Sequence, residues 1–251
     1  VEGGVEEDLH QNNELRFGVT DPLMLPWIGR RLRAFFPDVQ FSGLVLTNEV
    51  GGCSPEQLAF LEELLESEEV DFMVLPAKDV ALSLPPGLSA AAILREDARD
   101  AMVVRPGIAP ATCLSDLPPG STVCVSCERR RLYIASRFPG LNIIDSNLPA
   151  QSRLRRLYSL DFDAVVAAVA GLQRTGLNIA QREVSPLESD EVMPALCQGA
   201  VTMLCRSKDE DVLSLLADCD DAAARLCVVA ERDLLRRLGR LPEGAAVGGL
   251  A

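Results

Sequence analysis

The chain has 251 residues, 48% of them hydrophobic and only 4% aromatic, with a formal charge of −13. That apolar content excludes a disordered chain and points to a core built mostly of Leu, Val and Ala. The net negative charge argues against nucleic acid or an anionic membrane as a partner, and the longest apolar run, Ala164 to Leu172, is too short for a membrane span.

Residues 1–14 are acidic and stand apart as an N-terminal segment, one reading being the mature end left when a targeting sequence is removed. Leu15, Phe17 and Val19 alternate with polar or small residues, which predicts a strand. Pro22 opens a helix with Leu23, Trp27, Ile28 and Leu32 on one face, and Phe41 to Thr47 is a second strand. Ser54 as N-cap, Pro55 at the first helical position and Gln57 completing a capping box start a helix through Leu58, Leu61, Leu64 and Leu65. Val70 to Leu75, ended by Pro76, is a buried strand. This alternation predicts α/β architecture with βαβ crossovers.

Pro85-Pro86-Gly87 marks a turn, and the Pro-, Ala- and Thr-rich stretch Arg105 to Pro119 suits a crossing between domains. A second α/β unit follows: strand Thr122 to Val125, a helix through Arg131 and Ile134, strand Leu141 to Ile144, helix Gln151 to Tyr158, and strand Ala164 to Ala167. Asp220 and Asp221 start a last helix carrying Leu226, Val229, Leu234, Leu235 and Leu238. The eight cysteines have irregular spacing and read as reduced, buried thiols, with Cys227 in the apolar stripe of that last helix. Cys124-Val125-Ser126-Cys127 admits a redox or zinc reading, but no second pair has zinc-ribbon spacing. The one histidine, His10, lies in the acidic segment.

Six short segments carry a further signal through their order and spacing. They are Leu75-Pro76-Ala77-Lys78-Asp79-Val80, Ser126-Cys127-Glu128-Arg129-Arg130, Ser152-Arg153-Leu154, Ala170-Gly171-Leu172-Gln173-Arg174, Pro194-Ala195-Leu196-Cys197-Gln198-Gly199-Ala200 and Ala230-Glu231-Arg232. Together they resemble the porphobilinogen deaminase (hydroxymethylbilane synthase) family of tetrapyrrole synthesis. The resemblance implies two periplasmic-binding-protein-like α/β domains around a cleft. The first takes residues 15–100 plus 198–219 and the second residues 102–193. Residues 220–251, a helix and tail, would be a remnant of the family's third, cofactor-bearing domain.

The family joins porphobilinogen units head to tail with loss of ammonia, and each unit bears an acetate and a propionate. The resemblance implies Asp79 as the catalytic carboxylate, with Lys78 beside it; read alone, the two are a solvated ion pair at a strand end. It implies Arg129, Arg130, Arg153 and Arg174, with Ser126, as substrate-binding residues, since a planar guanidinium binds a carboxylate bidentately. Gln198-Gly199-Ala200 implies backbone geometry at a domain crossing.

Several positions depart from the family pattern. Leu75-Pro76-Ala77 removes a His-Ser pair, and Cys124-Val125-Ser126-Cys127 replaces Gly-Thr-Ser-Ser. Asp21 and Asn147-Leu148-Pro149 stand where family arginines are expected, Cys197 replaces a glycine, and Asn48 to Ser54 shortens a loop over the cleft. Loss of two charge-assisted bonds would cost about 3–6 kcal/mol if they were independent. The family tether Glu-Gly-Gly-Cys, whose thiol holds dipyrromethane, is replaced by Glu243-Gly244-Ala245-Ala246. The resulting expectation is an inactive family member with no cofactor, acting as a structural or interaction subunit of a larger protein assembly. The alternatives are an active synthase that carries dipyrromethane, and a protein that binds a carboxylated pyrrole or tetrapyrrole. The family and the first residue, Val1, favour a plastid or other organelle over the cytoplasm.

Overall fold

The computed structural model describes residues 14–46, 55–108, 111–159, 161–176, 184–239 and 246–251. The first lobe begins with β1 (Glu14–Val19), α1 (Met24–Phe35), β2 (Gln40–Val45), α2 (Pro55–Glu66), β3 (Phe72–Pro76) and β4 (Leu88–Arg95). The second holds β5 (Asp100–Val104), β6 (Thr122–Val125), α3 (Glu128–Arg137), β7 (Asn142–Asp145), α4 (Ala150–Tyr158), β8 (Ala164–Ala168), α5 (Val169–Arg174) and β9 (Val184–Pro186). The chain then returns to the first sheet as β10 (Ala200–Arg206), followed by α6 (Glu210–Ala217) and α7 (Ala222–Leu238).

The two five-stranded sheets have the orders β2-β1-β3-β10-β4 and β7-β6-β8-β5-β9. Parallel pairing of β1 with β2 and β3, and of β6 with β7 and β8, comes from the expected βαβ crossovers. The returning strand β10 is antiparallel to both β3 and β4, and β5 is antiparallel to β8. Alternation in β1 buries Phe17 and Val19, and Phe17 stacks on Phe72 with centroids 5.5 Å apart. Met24, Trp27, Ile28 and Leu32 form the buried face of α1, at the spacing of one helical stripe. Gly43 lets this helix lie close, because a Cβ there would sit 2.4 Å from Leu25 and 2.6 Å from the Phe17 ring.

Several expectations need correction. The first helix starts at Met24 rather than Pro22, because the Asp21 carboxylate accepts from the Leu23 N–H at 2.9 Å and holds Pro22 in a turn. Arg105 to Pro119 does not cross between lobes. It connects β5 to β6 within the second sheet, and its Ala111, Leu114 and Leu117 join Met102 and Val104 in that lobe's core. The chain passes between lobes at residues 96–99 and again just before β10, where Glu96 N–H bonds the Gly199 carbonyl at 3.0 Å. Strands β4, β5 and β10 have no counterpart among the predicted elements. β5 and β10 are buried at every position, so neither shows the alternation that marks a half-exposed strand.

The last helix has the expected N-cap, with the Asp221 carboxylate accepting from Ala224 N–H at 3.0 Å. Its orientation differs from the apolar stripe. Ala224, Val228 and Glu231 face inward, while Leu226 is 73% exposed and Val229, Leu234 and Leu238 are exposed as well. Cys227 is accordingly only half-buried and not a core thiol. The cause is polar: Glu231 forms a buried bidentate pair with Arg95, at 2.8 and 3.2 Å, and that pair fixes which face turns in. Ser54, the Gln57 side chain and the Asn48 to Ser54 loop lie outside the described residues, as does the capping box they would form.

Candidate functional site

The family-pattern residues fall into three groups. The first surrounds Asp100, the opening residue of β5, which is fully buried. Arg129 and Arg130, in the first turn of α3, reach it with one nitrogen each at 2.8 Å, on separate carboxylate oxygens. Gln198, on the second inter-lobe pass, donates to the same carboxylate at 2.8 Å and to the Ala98 carbonyl at 2.7 Å, and accepts from Arg129 at 3.3 Å. Arg129 also donates to the Met193 carbonyl, and Arg130 to Ser126 Oγ at 3.0 Å. Burial alone would raise the Asp100 carboxyl, but the charges and hydrogen bonds of Arg130 and then Arg129 more than offset this and hold it below the usual carboxylate range.

The second group is Arg174, the last residue of α5. Its Nε and Nη2 both donate to Glu96 Oε2, at 3.0 and 2.6 Å, and its guanidinium carbon lies 4.8 Å from the centroid of the Trp27 ring. Arg153, in α4, is different from the other three. Its Nε donates to the Leu148 carbonyl at 3.0 Å, but its buried Nη1 has no partner among the described residues. The Nε atoms of Arg129 and Arg130 are likewise buried without an acceptor there. Burial, and next the charge of nearby Arg130, lower the Arg153 guanidinium from its ordinary value.

The third group is Lys78 and Asp79, just beyond β3. They form an ion pair at 2.8 Å, with the Lys78 side chain 52% exposed and the Asp79 side chain 16% exposed. Their loop is clamped from beneath by Arg232 of α7, which donates to the carbonyls of Ala77 at 3.1 Å and Val80 at 3.0 Å, and also to that of Ala81. Among the described residues, Asp79 has no hydrogen bond or ion pair with any of the four family-pattern arginines. The structure therefore brings Ser126, Arg129 and Arg130 together around an acid, and leaves Lys78 and Asp79 paired with each other.

Sequence reasoning missed the acids that engage the arginines, Asp100 and Glu96, and read Trp27 only as part of an apolar face. A signal for Asp100 existed: an acidic residue directly ahead of the fully apolar run Ala101 to Val104 needs a cationic partner if the run is buried. Asp21 caps the turn before α1 instead of facing a ligand, and Asn147-Leu148-Pro149 supplies the carbonyls that hold Arg153. Gly199 has φ +76°, and a Cβ there would lie 2.9 Å from the backbone oxygens of Glu96 and Asp97, so the inter-lobe passes require glycine. Cys197, where a family glycine was expected, keeps the left-handed backbone at φ 62°. Ala246 is described, whereas residues 241–245 are not. Among the described residues no group of three or more His, Cys, Asp or Glu is arranged to hold a metal, and no helix is long and apolar enough to cross a membrane.

Comparison with known proteins places this architecture. The methionine binding protein MetQ superposes with a TM-score of 0.50 at 13% identity, over 88% of this chain and 94% of that one, a likeness of fold alone. The two lobes are thus periplasmic-binding-protein-like α/β domains. The family model described as "Porphobilinogen deaminase, dipyromethane cofactor binding domain" matches residues 56–214. A porphobilinogen deaminase of Roseiflexus sp. (strain RS-1) is 40% identical over 189 residues, which cover 74% of this chain and 60% of that protein. One from Laribacter hongkongensis (strain HLHK9) is 35% identical over 239 residues, covering 89% of this chain and 74% of its own length. The match thus spans about 60% of the length of the first of these relatives. The chain belongs to the porphobilinogen deaminase family.

Proposed function

We propose that this chain is a catalytically silent member of the family, serving as a structural subunit within a larger protein assembly. The observation that carries this reading is the internal engagement of the arginines. Three of the four that the family pattern assigns to substrate carboxylates hold the chain's own acids, Asp100 and Glu96. Displacing a buried acid from a guanidinium leaves that acid buried without its counter-charge, a cost of about 3–5 kcal/mol. A ligand carboxylate at these positions has to overcome that cost.

The dipyrromethane that the family implies does not fit the residues present. Each of its rings bears two carboxylates, and three of the four family-pattern arginines that would receive them are paired with Asp100 and Glu96. The tether segment Glu243-Gly244-Ala245-Ala246 supplies no thiol. The exposed apolar residues of α7, Leu226, Val229, Leu234 and Leu238, support the interaction role, since an apolar helix face gains from being covered by another protein. Assay of the purified chain with porphobilinogen tests the reading: no bilane or uroporphyrinogen should form, and turnover would overturn it.

A second reading rests on Arg153 and the two orphaned Nε atoms. Buried donors without acceptors cost about 1–3 kcal/mol each, so an anionic ligand that satisfied them would bind with that advantage. On this reading the chain holds a small carboxylated pyrrole without reacting with it. Calorimetric titration with porphobilinogen distinguishes it: binding lost in Arg153→Gln supports the site, and affinity unchanged by that substitution removes it.

A further inference from the structure

Arg174 is engaged at both its recognition surfaces, its donor edge and its planar face. Its donor edge meets Glu96 Oε2 through two nitrogens, at 3.0 and 2.6 Å. Its planar face lies 4.8 Å from the Trp27 ring centroid. Arg31 lies at the same 4.8 Å from that ring, so the indole has two cations within stacking distance. Trp27 is only 8% exposed, and both partners of the Arg174–Glu96 pair have side chains less than a tenth exposed. A carboxylate on the fork and an aromatic ring on the face are the two features a carboxylated pyrrole presents to an arginine.

We propose that Glu96 and Trp27 act together as an internal ligand mimic, occupying Arg174 and latching the second lobe to the first. This deepens the reading of a silent site and rests on it for the ligand class. The three residues come from three places: Trp27 from α1 of the first lobe, Glu96 from the inter-lobe pass, and Arg174 from α5 of the second lobe. Their contacts therefore tie the lobes together in the way a bound ligand would. The latch also sets specificity, because a ligand carboxylate takes the Nε–Nη2 edge of Arg174 only by displacing Glu96, and a ligand ring takes its face only by displacing Trp27.

The chain's single tryptophan makes the latch directly observable. In the wild-type protein Trp27 emission should be blue-shifted and protected from acrylamide. Glu96→Gln and, separately, Arg174→Lys should each shift that emission to the red and raise the quenching constant roughly twofold, because the stacked cation is released or replaced. With the fork of Arg174 vacated, Glu96→Gln should also bind porphobilinogen at least about tenfold more tightly than wild type. Emission and quenching left unchanged in both variants would overturn the latch. So would porphobilinogen binding to wild type that is lost in Arg174→Lys, since it would place the ligand where the mimic sits. Both readouts are independent of turnover: an active wild-type chain would refute the silent-enzyme reading, while an unaltered Trp27 signal would refute the latch alone.

Discussion

Asp100 and Asp79 are both aspartates beside basic side chains, yet they are physically different groups. Asp100 has no exposed surface and two guanidinium partners, with Gln198 completing its shell. Among the described residues Asp79 pairs with Lys78, whose side chain is half in water. A buried charge cannot be left unpaired, so the arginines around Asp100 are fixed by the need to neutralise it. In the Lys78–Asp79 pair the cation reaches water although the acid is 16% exposed, so the pair carries less of that requirement than a fully buried one. Arg129 and Arg130 both hold Asp100 within the second lobe, and Arg129 also reaches Gln198 on the second inter-lobe pass.

The sharpest way to break this contrast is to remove each acid. Asp100→Ala should destabilise the protein by about 3–5 kcal/mol, because it strands two buried guanidinium groups. Asp79→Ala should change stability by less than about 1 kcal/mol. Urea unfolding of both variants measures the difference, and equal effects would mean that the two sites are energetically alike. Gly199→Ala comes next, at about 1–3 kcal/mol: a left-handed Ala costs about 1–2 kcal/mol, and its Cβ would press on the backbone of the first inter-lobe pass.

A pH series sharpens the same contrast. The folded-state pKa of Asp100 is depressed, so the stability it contributes is present above the usual carboxylate range, about pH 4, and is lost as pH falls through the folded value. Asp100→Asn should therefore flatten the acid limb of the stability profile. Wild-type and Asp100→Asn profiles of the same slope below pH 4 would contradict the assignment.

The half-buried elements were legible in the sequence because one face met water. Phe17 and Val19 alternate, α1 buries the expected Trp27, Ile28 and Leu32 with Met24 in place of Leu23, and β6 lies where its residues predict. Buried strands give no such contrast: β3 and β8 were read from short apolar runs alone, and β5 and β10, buried at every position, were missed. The orientation of α7 was misread for a related reason: hydrophobicity identified Leu226 and Val229, but the buried Arg95–Glu231 pair decided which face turned in. At the site, residue types showed where guanidinium groups gather. They could not show that Asp100, Glu96 and Trp27 come from distant segments to meet them, because that meeting is a product of the two inter-lobe passes.

The central claim is that Arg129, Arg130 and Arg174 serve the protein's own acids and do not build a bilane on a tethered dipyrrole. Intact-mass measurement after incubation with porphobilinogen tests it most directly. The account predicts the mass of the unmodified polypeptide, and a covalent increment of two pyrrole units would contradict it.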